Sequence, residues 1–428
     1  MTGTLVLEQP DVLADEPVQF SVTGCSPGET VTITAAWTVG DEPVRSEARF
    51  TAPRTGIVEP GRHASTGGCY TGVEPHGLWW SIRLRDADLA TETLDPWTVS
   101  LTAAGATWES SGTLVRRKVA LSVRQLEVTS GRLRGIAFIP DGPGPFPSVL
   151  LFSGSGGGLA SVQCQAALLA SRGFATLALA YFNYADLPAE LVEIPLEYFR
   201  DGMDWLIANA PAAGGRLAVM GASRGGELAL LLGSSYPELV AAVVAKVPSG
   251  VVWGGLTKDD DLDCDAWTRD GRPIPPLTGE VIPLEALPRR DGAIVLTPSF
   301  EAVLAAAPPE QLTAAEIPVE RCGGPVLMLS GEDDAMWPSV AMSDIAVQRA
   351  ERRGMRYPVR HLRYPDAGHT GTIPAGFPAP LASVHPVTGG LFAYGGTIAG
   401  NAHASASSWR ETIEFLSTSL PGDIGRSR

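Results

Sequence analysis

The chain has 428 residues, of which 44% are hydrophobic and 18% charged, with a formal net charge of −15. The length exceeds what one core holds and predicts two domains, and the composition is that of a globular chain. The acidic balance excludes a general nucleic-acid binder and an anchor to anionic membrane, so the expectation is a soluble, cytoplasmic protein.

The N-terminus, from Met1 to Glu8, lacks the basic start and apolar core of a signal peptide. No apolar run reaches membrane-spanning length, and Arg426-Ser427-Arg428 is not a peroxisomal address. Cys25, Cys69, Cys164, Cys264 and Cys322 are odd in number and widely spaced, without a Cys-x-x-Cys. That pattern predicts reduced thiols, with no disulfide framework and no metal site. No cofactor is implied.

Residues 1–120 show short alternating segments, such as Val18–Val22, Val31–Ala35 and Trp97–Leu101. Turns at Pro27-Gly28, Pro60-Gly61 and Gly67-Gly68 punctuate them. No convincing helix interrupts, which predicts a small antiparallel β-sandwich. From residue 121 the rhythm changes. Strands at about 123–130 and 132–139 lead to the turn-rich Pro140–Pro145. Apolar runs follow at 148–152, 175–180, 217–220, 239–247 and 326–329, too continuous for half-exposed strands. Helical patterns alternate with them near 159–172, 195–209, 225–234, 339–353 and 406–418. Continuous apolar strands between helices predict a mostly parallel sheet covered on both faces. The stretch from about 250 to 315 breaks the rhythm. It is rich in Pro and Asp, including Asp259-Asp260-Asp261, and reads as an insertion of the kind that carries lids and substrate-binding segments. The acidic run reads as a solvated loop.

Gly221-Ala222-Ser223-Arg224-Gly225 lies between the apolar strand ending at Met220 and a helix former. This is the context of a nucleophile elbow, where a sharp turn thrusts a serine hydroxyl out at the sheet edge. Such a serine needs a histidine to take its proton and an acid to hold the histidine's tautomer. In this chain order the acid and then the histidine follow the serine. His361, His369, His385 and His403 remain. His361 starts a strand and reads as structural. His369, in the small-residue loop Pro365-Asp366-Ala367-Gly368-His369 just past that strand, is the candidate base. The acid belongs after strand 326–329, in Ser330-Gly331-Glu332-Asp333-Asp334. Position before the next helix selects Asp334, with Asp333 the alternative. An oxyanion hole needs two backbone N–H groups. Arg224, after the nucleophile, supplies one. The loop Ser153-Gly154-Ser155-Gly156-Gly157-Gly158 supplies the other, assigned to Ser155. That loop lacks a Walker lysine and meets the dinucleotide glycine spacing only in part.

These residues resemble one family over nearly the whole chain: the acyl-CoA thioesterases related to bile acid-CoA:amino acid N-acyltransferase. The resemblance runs through Asp15-Glu16-Pro17-Val18, Tyr70-Thr71-Gly72-Val73 and Gly77-Leu78-Trp79-Trp80-Ser81. It continues through Gly142–Pro147, Gly156–Leu159, Gly173–Tyr184, Leu196–Phe199, the elbow, Asp333-Asp334-x-x-Trp337 and Gly368-His369. It implies an immunoglobulin-like sandwich over 1–120 and an α/β-hydrolase domain over 121–428. It also implies a triad that maps onto Ser223, Asp334 and His369. The family's amino-acid-conjugating branch uses cysteine as nucleophile. An acyl-serine ester is more readily left to water, so Ser223 implies hydrolysis. Arg224 in the elbow, Ser155 in the loop and the stretch around 255–315 depart from the family pattern.

The expected activity is therefore hydrolysis of an acyl thioester, carried by coenzyme A or a carrier protein, through an acyl-serine. The alternative is transfer of the acyl group to an amine or alcohol. An intact Ser, Asp, His order argues against a binding protein with a dead site. Trp79, Trp80 and Trp97 are expected to pack within or between domains. Arg116, Arg117 and Lys118 are basic residues whose place the sequence leaves open.

Overall fold

A computed structural model describes residues 2–82, 93–210, 213–259 and 264–421. Asp260, Asp261 and the last seven residues, including Arg426-Ser427-Arg428, lie outside the described residues.

The first part of the chain is β-rich. Its main sheet has six strands, in the order Asp11–Leu13, Glu109–Arg117, Trp97–Ala104, Thr30–Val39, Glu42–Thr51 and Gly67–Gly68. Only the first pair is parallel. In Thr30–Val39 every second residue is buried: Val31, Ile33, Ala35, Trp37 and Val39. That period of two is what packs one face of a strand against a core. A two-stranded sheet, Thr4–Leu7 with Phe20–Thr23, stands beside it. One helical turn, Gly77–Trp80, was not expected from the sequence and is fully buried.

The second sheet has eight strands: β1 (Val123–Val128), β2 (Arg134–Pro140), β3 (Ser148–Phe152), β4 (Ala175–Ala180), β5 (Leu217–Ala222), β6 (Val240–Lys246), β7 (Val326–Gly331) and β8 (Val359–Tyr364). Their spatial order is β1-β2-β4-β3-β5-β6-β7-β8. Strands β1 and β2 run antiparallel to their neighbours and all other pairs are parallel. This order, with helices in the connections, is the α/β-hydrolase fold. The principal helices are α1 (Ala160–Ala170), α2 (Leu196–Asn209), α3 (Arg224–Ser235), α4 (Ser339–Arg353) and α5 (Ile398–Ser419). Strands β3, β4, β6 and β7 are buried at every position, which explains their unbroken apolar runs.

Helix α5 begins at Ile398, well before the expected 406. The run Ala399-Gly400-Asn401-Ala402 reads as loop by composition, yet Thr397 caps it by accepting the Gly400 N–H at 2.9 Å. Small residues are needed there for close approach: a Cβ on Gly400 would meet the Asp366 carbonyl oxygen at 2.1 Å.

The insertion between β6 and β7 contains the helices Thr297–Ala306 and Pro309–Ala315. Its strand Ala293–Ile294 joins a small sheet with the hairpin Ala382–Val384/Leu391–Ala393 and with Arg289–Arg290.

The two large sheets are joined by specific contacts. Trp409 of α5 donates its indole N–H to the Asp15 carboxylate at 2.6 Å, and Arg172 lies 2.8 Å from the same carboxylate. Trp97 packs on Phe377 with ring centres 5.0 Å apart, and His403 pairs with Glu74 at 2.7 Å. Buried Arg116 donates to the Gly376 carbonyl and lies over the Trp79 ring at 4.6 Å. Lys118 lies over Trp97 at 4.8 Å, and Arg117 is paired with Asp11 at 2.7 Å. The three basic residues left open by the sequence are thus packed or paired. Trp79, Trp80 and Trp97 are all buried.

Candidate active site

Ser223 occupies the turn between β5 and α3 with φ 60° and ψ −125°, a left-side backbone conformation that is rare for a residue with a side chain. The turn is held from both directions. The Ser223 N–H donates to the Lys246 carbonyl at 2.9 Å, and the Ser223 carbonyl accepts from Gly226 at 2.8 Å. The flanking glycines are steric necessities. A Cβ on Gly221 would sit 2.3 Å from the Gly225 carbonyl oxygen, and one on Gly225 would sit 2.4 Å from that of Ser153. Strain of this kind concentrates at functional positions.

His369 stands on the loop after β8. Its N–H donates to the Tyr394 carbonyl at 2.8 Å, and the neighbouring Gly368 N–H donates to the Asn401 side-chain oxygen at 2.7 Å. The early start of α5 therefore braces this loop. The His369 Nδ1 lies 2.9 and 3.1 Å from the two Asp334 carboxylate oxygens. The ring is stacked against Tyr394 and met edge-on by Trp337, each at 6.0 Å. Asp334 is buried, and its Oδ1 also accepts from the Met336 N–H at 3.0 Å. With Nδ1 engaged, Nε2 is left for the cavity. His369 and Ser223 line the same cavity of about 690 Å³.

Asp333, the alternative acid, turns away. It receives a forked pair of bonds from Arg290 at 2.8 and 2.9 Å and accepts from Gly396 at 3.0 Å. The guanidinium of Arg290 holds its carboxyl below the usual range. His361 is tied to Ser330 at 2.9 Å and Asp344 at 3.2 Å, and burial lowers its pKa. His403 belongs to the contact with Glu74.

The glycine-rich loop after β3 presses against the elbow: a Cβ on Gly154 would lie 3.1 Å from that of Ser223. The Tyr181 hydroxyl donates to the carbonyls of Ser153 and Gly154, and the Asn183 amide donates to that of Gly156 at 2.9 Å. These bonds engage three of the loop's carbonyls, while the Gly157 and Gly158 N–H groups donate to the Gly154 and Phe182 carbonyls at 3.2 and 3.0 Å. The N–H of Arg224 opens α3 and has no acceptor within the helix.

The Arg224 side chain does something the sequence does not indicate. It is buried, lies 3.0 Å from Glu227, and donates to the carbonyls of Trp253 and Gly254 at 2.9 and 2.8 Å. It pins the start of the insertion to α3. Glu227 also accepts the Trp267 indole N–H at 2.7 Å, and burial raises its pKa to about 7 against the pull of Arg224.

A second cavity of about 630 Å³ also opens on Ser223. Insertion residues wall it, including Leu277, Ile282, Leu284, Phe300 and Val303, and it is largely apolar. The first cavity is bordered instead by the glycine-rich loop, the start of α1 and the buried Lys246. The Lys246 ammonium donates to Gln165 and the Thr372 carbonyl, each at 2.8 Å, and burial lowers its pKa to about 7. The sequence reading missed Lys246, which looks like one more residue in an apolar strand. It also passed over His385, whose partner is Ser155, 230 positions away. None of the five cysteines is joined in a disulfide.

A family model for the acyl-CoA thioester hydrolase/BAAT N-terminal region matches residues 15–130, and one for the BAAT/acyl-CoA thioester hydrolase C-terminal region matches residues 194–422. Acyl-coenzyme A thioesterase 1 of Homo sapiens is 32% identical over 442 aligned residues, covering 99% of both chains. Acyl-coenzyme A thioesterase 2, mitochondrial, of Homo sapiens is also 32% identical, covering 99% of this chain and 86% of the other. Bile acid-CoA:amino acid N-acyltransferase of Mus musculus is 31% identical, covering 96% of each. Among solved structures, a putative dienelactone hydrolase from Klebsiella pneumoniae aligns with a TM-score of 0.41 at 15% identity, over 69% of this chain and 98% of that one.

Proposed function

Because this chain belongs to the acyl-CoA thioester hydrolase/BAAT family, we propose that it hydrolyses acyl-CoA thioesters through an acyl-enzyme on Ser223. The observation that carries the reading is the strained Ser223 turn sharing a cavity with a histidine already aligned on a buried carboxylate.

In the proposed sequence, His369 Nε2 takes the Ser223 hydroxyl proton and the oxygen attacks the thioester carbonyl. Asp334 stabilises the imidazolium that forms. The backbone N–H groups of Arg224 and Ser155 receive the oxyanion. Collapse expels the thiol, which takes the proton from His369. A water, deprotonated by the same nitrogen, then attacks the acyl-serine; His369 returns that proton to the Ser223 oxygen as the ester bond breaks, and the free acid leaves. The apolar cavity walled by the insertion suits the acyl chain. The cavity along the glycine-rich loop suits the thiol arm and the incoming water.

Thiol release from a panel of acyl-CoA thioesters, with product analysis by mass spectrometry, tests this. Free acid is expected even when amines or alcohols are supplied, and amide or ester as the main product would turn the reading to acyl transfer. Ser223→Ala should lower turnover by on the order of 10⁶ while leaving the thermal unfolding curve in place. Wild-type turnover by that variant would refute the assignment.

A further inference from the structure

His385 is buried, at the end of the hairpin strand Ala382–Val384. Its Nε2 lies 2.9 Å from the Ser155 Oγ. Its Nδ1 is approached by the backbone N–H groups of Val387 and Thr388, each at 3.3 Å. An N–H needs an acceptor, so Nδ1 is the unprotonated nitrogen and the neutral ring carries its proton on Nε2. His385 therefore donates to Ser155, and the Ser155 hydroxyl receives. Burial agrees with a neutral ring, because it lowers the imidazole pKa to about 4.

The consequence falls on the hydroxyl proton. A serine Oγ that accepts from His385 still has one O–H to give. Ser155 lines both cavities, as do Ser223 and His385. The loop that bears Ser155 lies against the nucleophile, as the near contact of Gly154 with Ser223 shows. The hairpin lies close to the loop as well: a Cβ on Gly156 would meet Pro386 at 3.0 Å.

We propose that the Ser155 hydroxyl is a third donor to the oxyanion, and that His385 is the positioning residue that aims it. As negative charge builds on the thioester oxygen, the two backbone N–H groups are joined by Ser155 Oγ–H. The His385 Nε2–H bond polarises that hydroxyl. No proton is transferred; both bonds shorten and then relax as the thiol leaves. The proposal rests on Ser223 as nucleophile.

The test uses the full chain carrying Ser155→Ala, His385→Ala, His385→Gln or the first two together. Ser155→Ala keeps the backbone N–H and deletes only the hydroxyl. Single-turnover acylation is read by thiol release, beside steady-state kcat and KM and the endpoint of fluorophosphonate labelling, which counts competent Ser223. Ser155→Ala should slow acylation and kcat by about a hundredfold, the usual cost of one oxyanion donor, with KM within about twofold and a full labelling endpoint. His385→Ala should cost a similar factor, and the double variant no more than the larger single loss. His385→Gln, whose amide nitrogen reaches near the Nε2 position, should recover most of the rate.

Normal acylation by Ser155→Ala overturns the proposal whether or not the His385 variants fold. Losses that multiply in the double variant overturn the coupling of His385 to Ser155. Wild-type turnover by Ser223→Ala would refute the underlying acyl-enzyme reading, a result distinct from either.

Discussion

Arg224 and Glu227 form a buried ion pair 3.0 Å long, one turn apart on α3, directly behind the proposed nucleophile. Arg224 has two separate roles. Its backbone N–H is the one proposed for the oxyanion, while its guanidinium ties the insertion to the helix through the Trp253 and Gly254 carbonyls. Removing the side chain leaves a carboxylate buried without its cation. Arg224→Leu should destabilise the protein by about 3–5 kcal/mol, the usual cost of breaking a buried pair from one side. Adding Glu227→Gln should recover part of that loss. Urea unfolding of both variants checks it; equal stability of single and double variants would show the pair to be uncoupled.

The two adjacent aspartates should separate cleanly. Asp334→Asn leaves an amide beside His369 Nδ1 and removes the charge opposite the imidazolium, so kcat should fall by about 10⁴. Asp333→Asn removes the charge from a half-exposed pair with Arg290, worth about 1 kcal/mol or less, and leaves an amide oxygen to accept from Gly396. Its kcat should stay close to wild type. Steady-state kinetics of the two variants decides, and an inversion of the effects would make Asp333 the acid.

The apolar cavity should act as a ruler for the acyl group. Ile282→Trp narrows it, and should raise KM for long acyl chains while leaving short ones near wild type. Phe300→Ala widens it and should shift the optimum toward longer or bulkier chains. Chain-length profiles of kcat/KM on acyl-CoA thioesters provide the measurement. Profiles identical to wild type in both variants would put the acyl chain elsewhere.

Lys246 carries a pH signature in stability. Its pKa is lowered from the model-peptide 10.5 to about 7 by burial, so between those values the unfolded chain holds more protons than the folded one. Stability contributed by this group therefore rises with pH from about 7 to 10.5 and is lost as pH falls through 7. Lys246→Met abolishes the titration. The melting temperature of the variant relative to wild type should be highest near pH 6 and decline toward pH 10. A difference independent of pH would mean that the ammonium is not desolvated in solution.

Much of this was legible in the sequence because the signals are local. Continuous runs such as Val240–Lys246 are buried on both faces, which is what an unbroken apolar run encodes. The Ser223 elbow is specified within five residues by the steric needs of Gly221 and Gly225. Asp334 and His369 follow the ends of their strands, and their contact agrees with that placement. The illegible parts depend on partners far along the chain. The bond between His385 and Ser155 spans 230 positions, and nothing in the Pro/Gly-rich surroundings of His385 announces it. Arg224 stood out as a departure beside the acyl site, but its carbonyl acceptors lie about thirty residues on, in a segment without a readable pattern. The start of α5 was missed because Gly400 looks like a breaker, whereas the contact with Asp366 requires its missing side chain.

The bond from Trp409 to Asp15 joins the last helix to the start of the β-rich region, and Trp409 also lies 5.2 Å from the Lys246 ammonium beneath the elbow. Asp15 and Trp409, 394 positions apart, thus meet at a point shared by both sheets and close to Lys246 of β6. Unfolding either sheet alone would strand Asp15, Arg172 and Arg116 without their buried partners. The consequence is mechanical: the protein should melt in a single cooperative transition. A fragment beginning at residue 121 should be poorly soluble and should not be rescued by ligands of the hydrolase cavity.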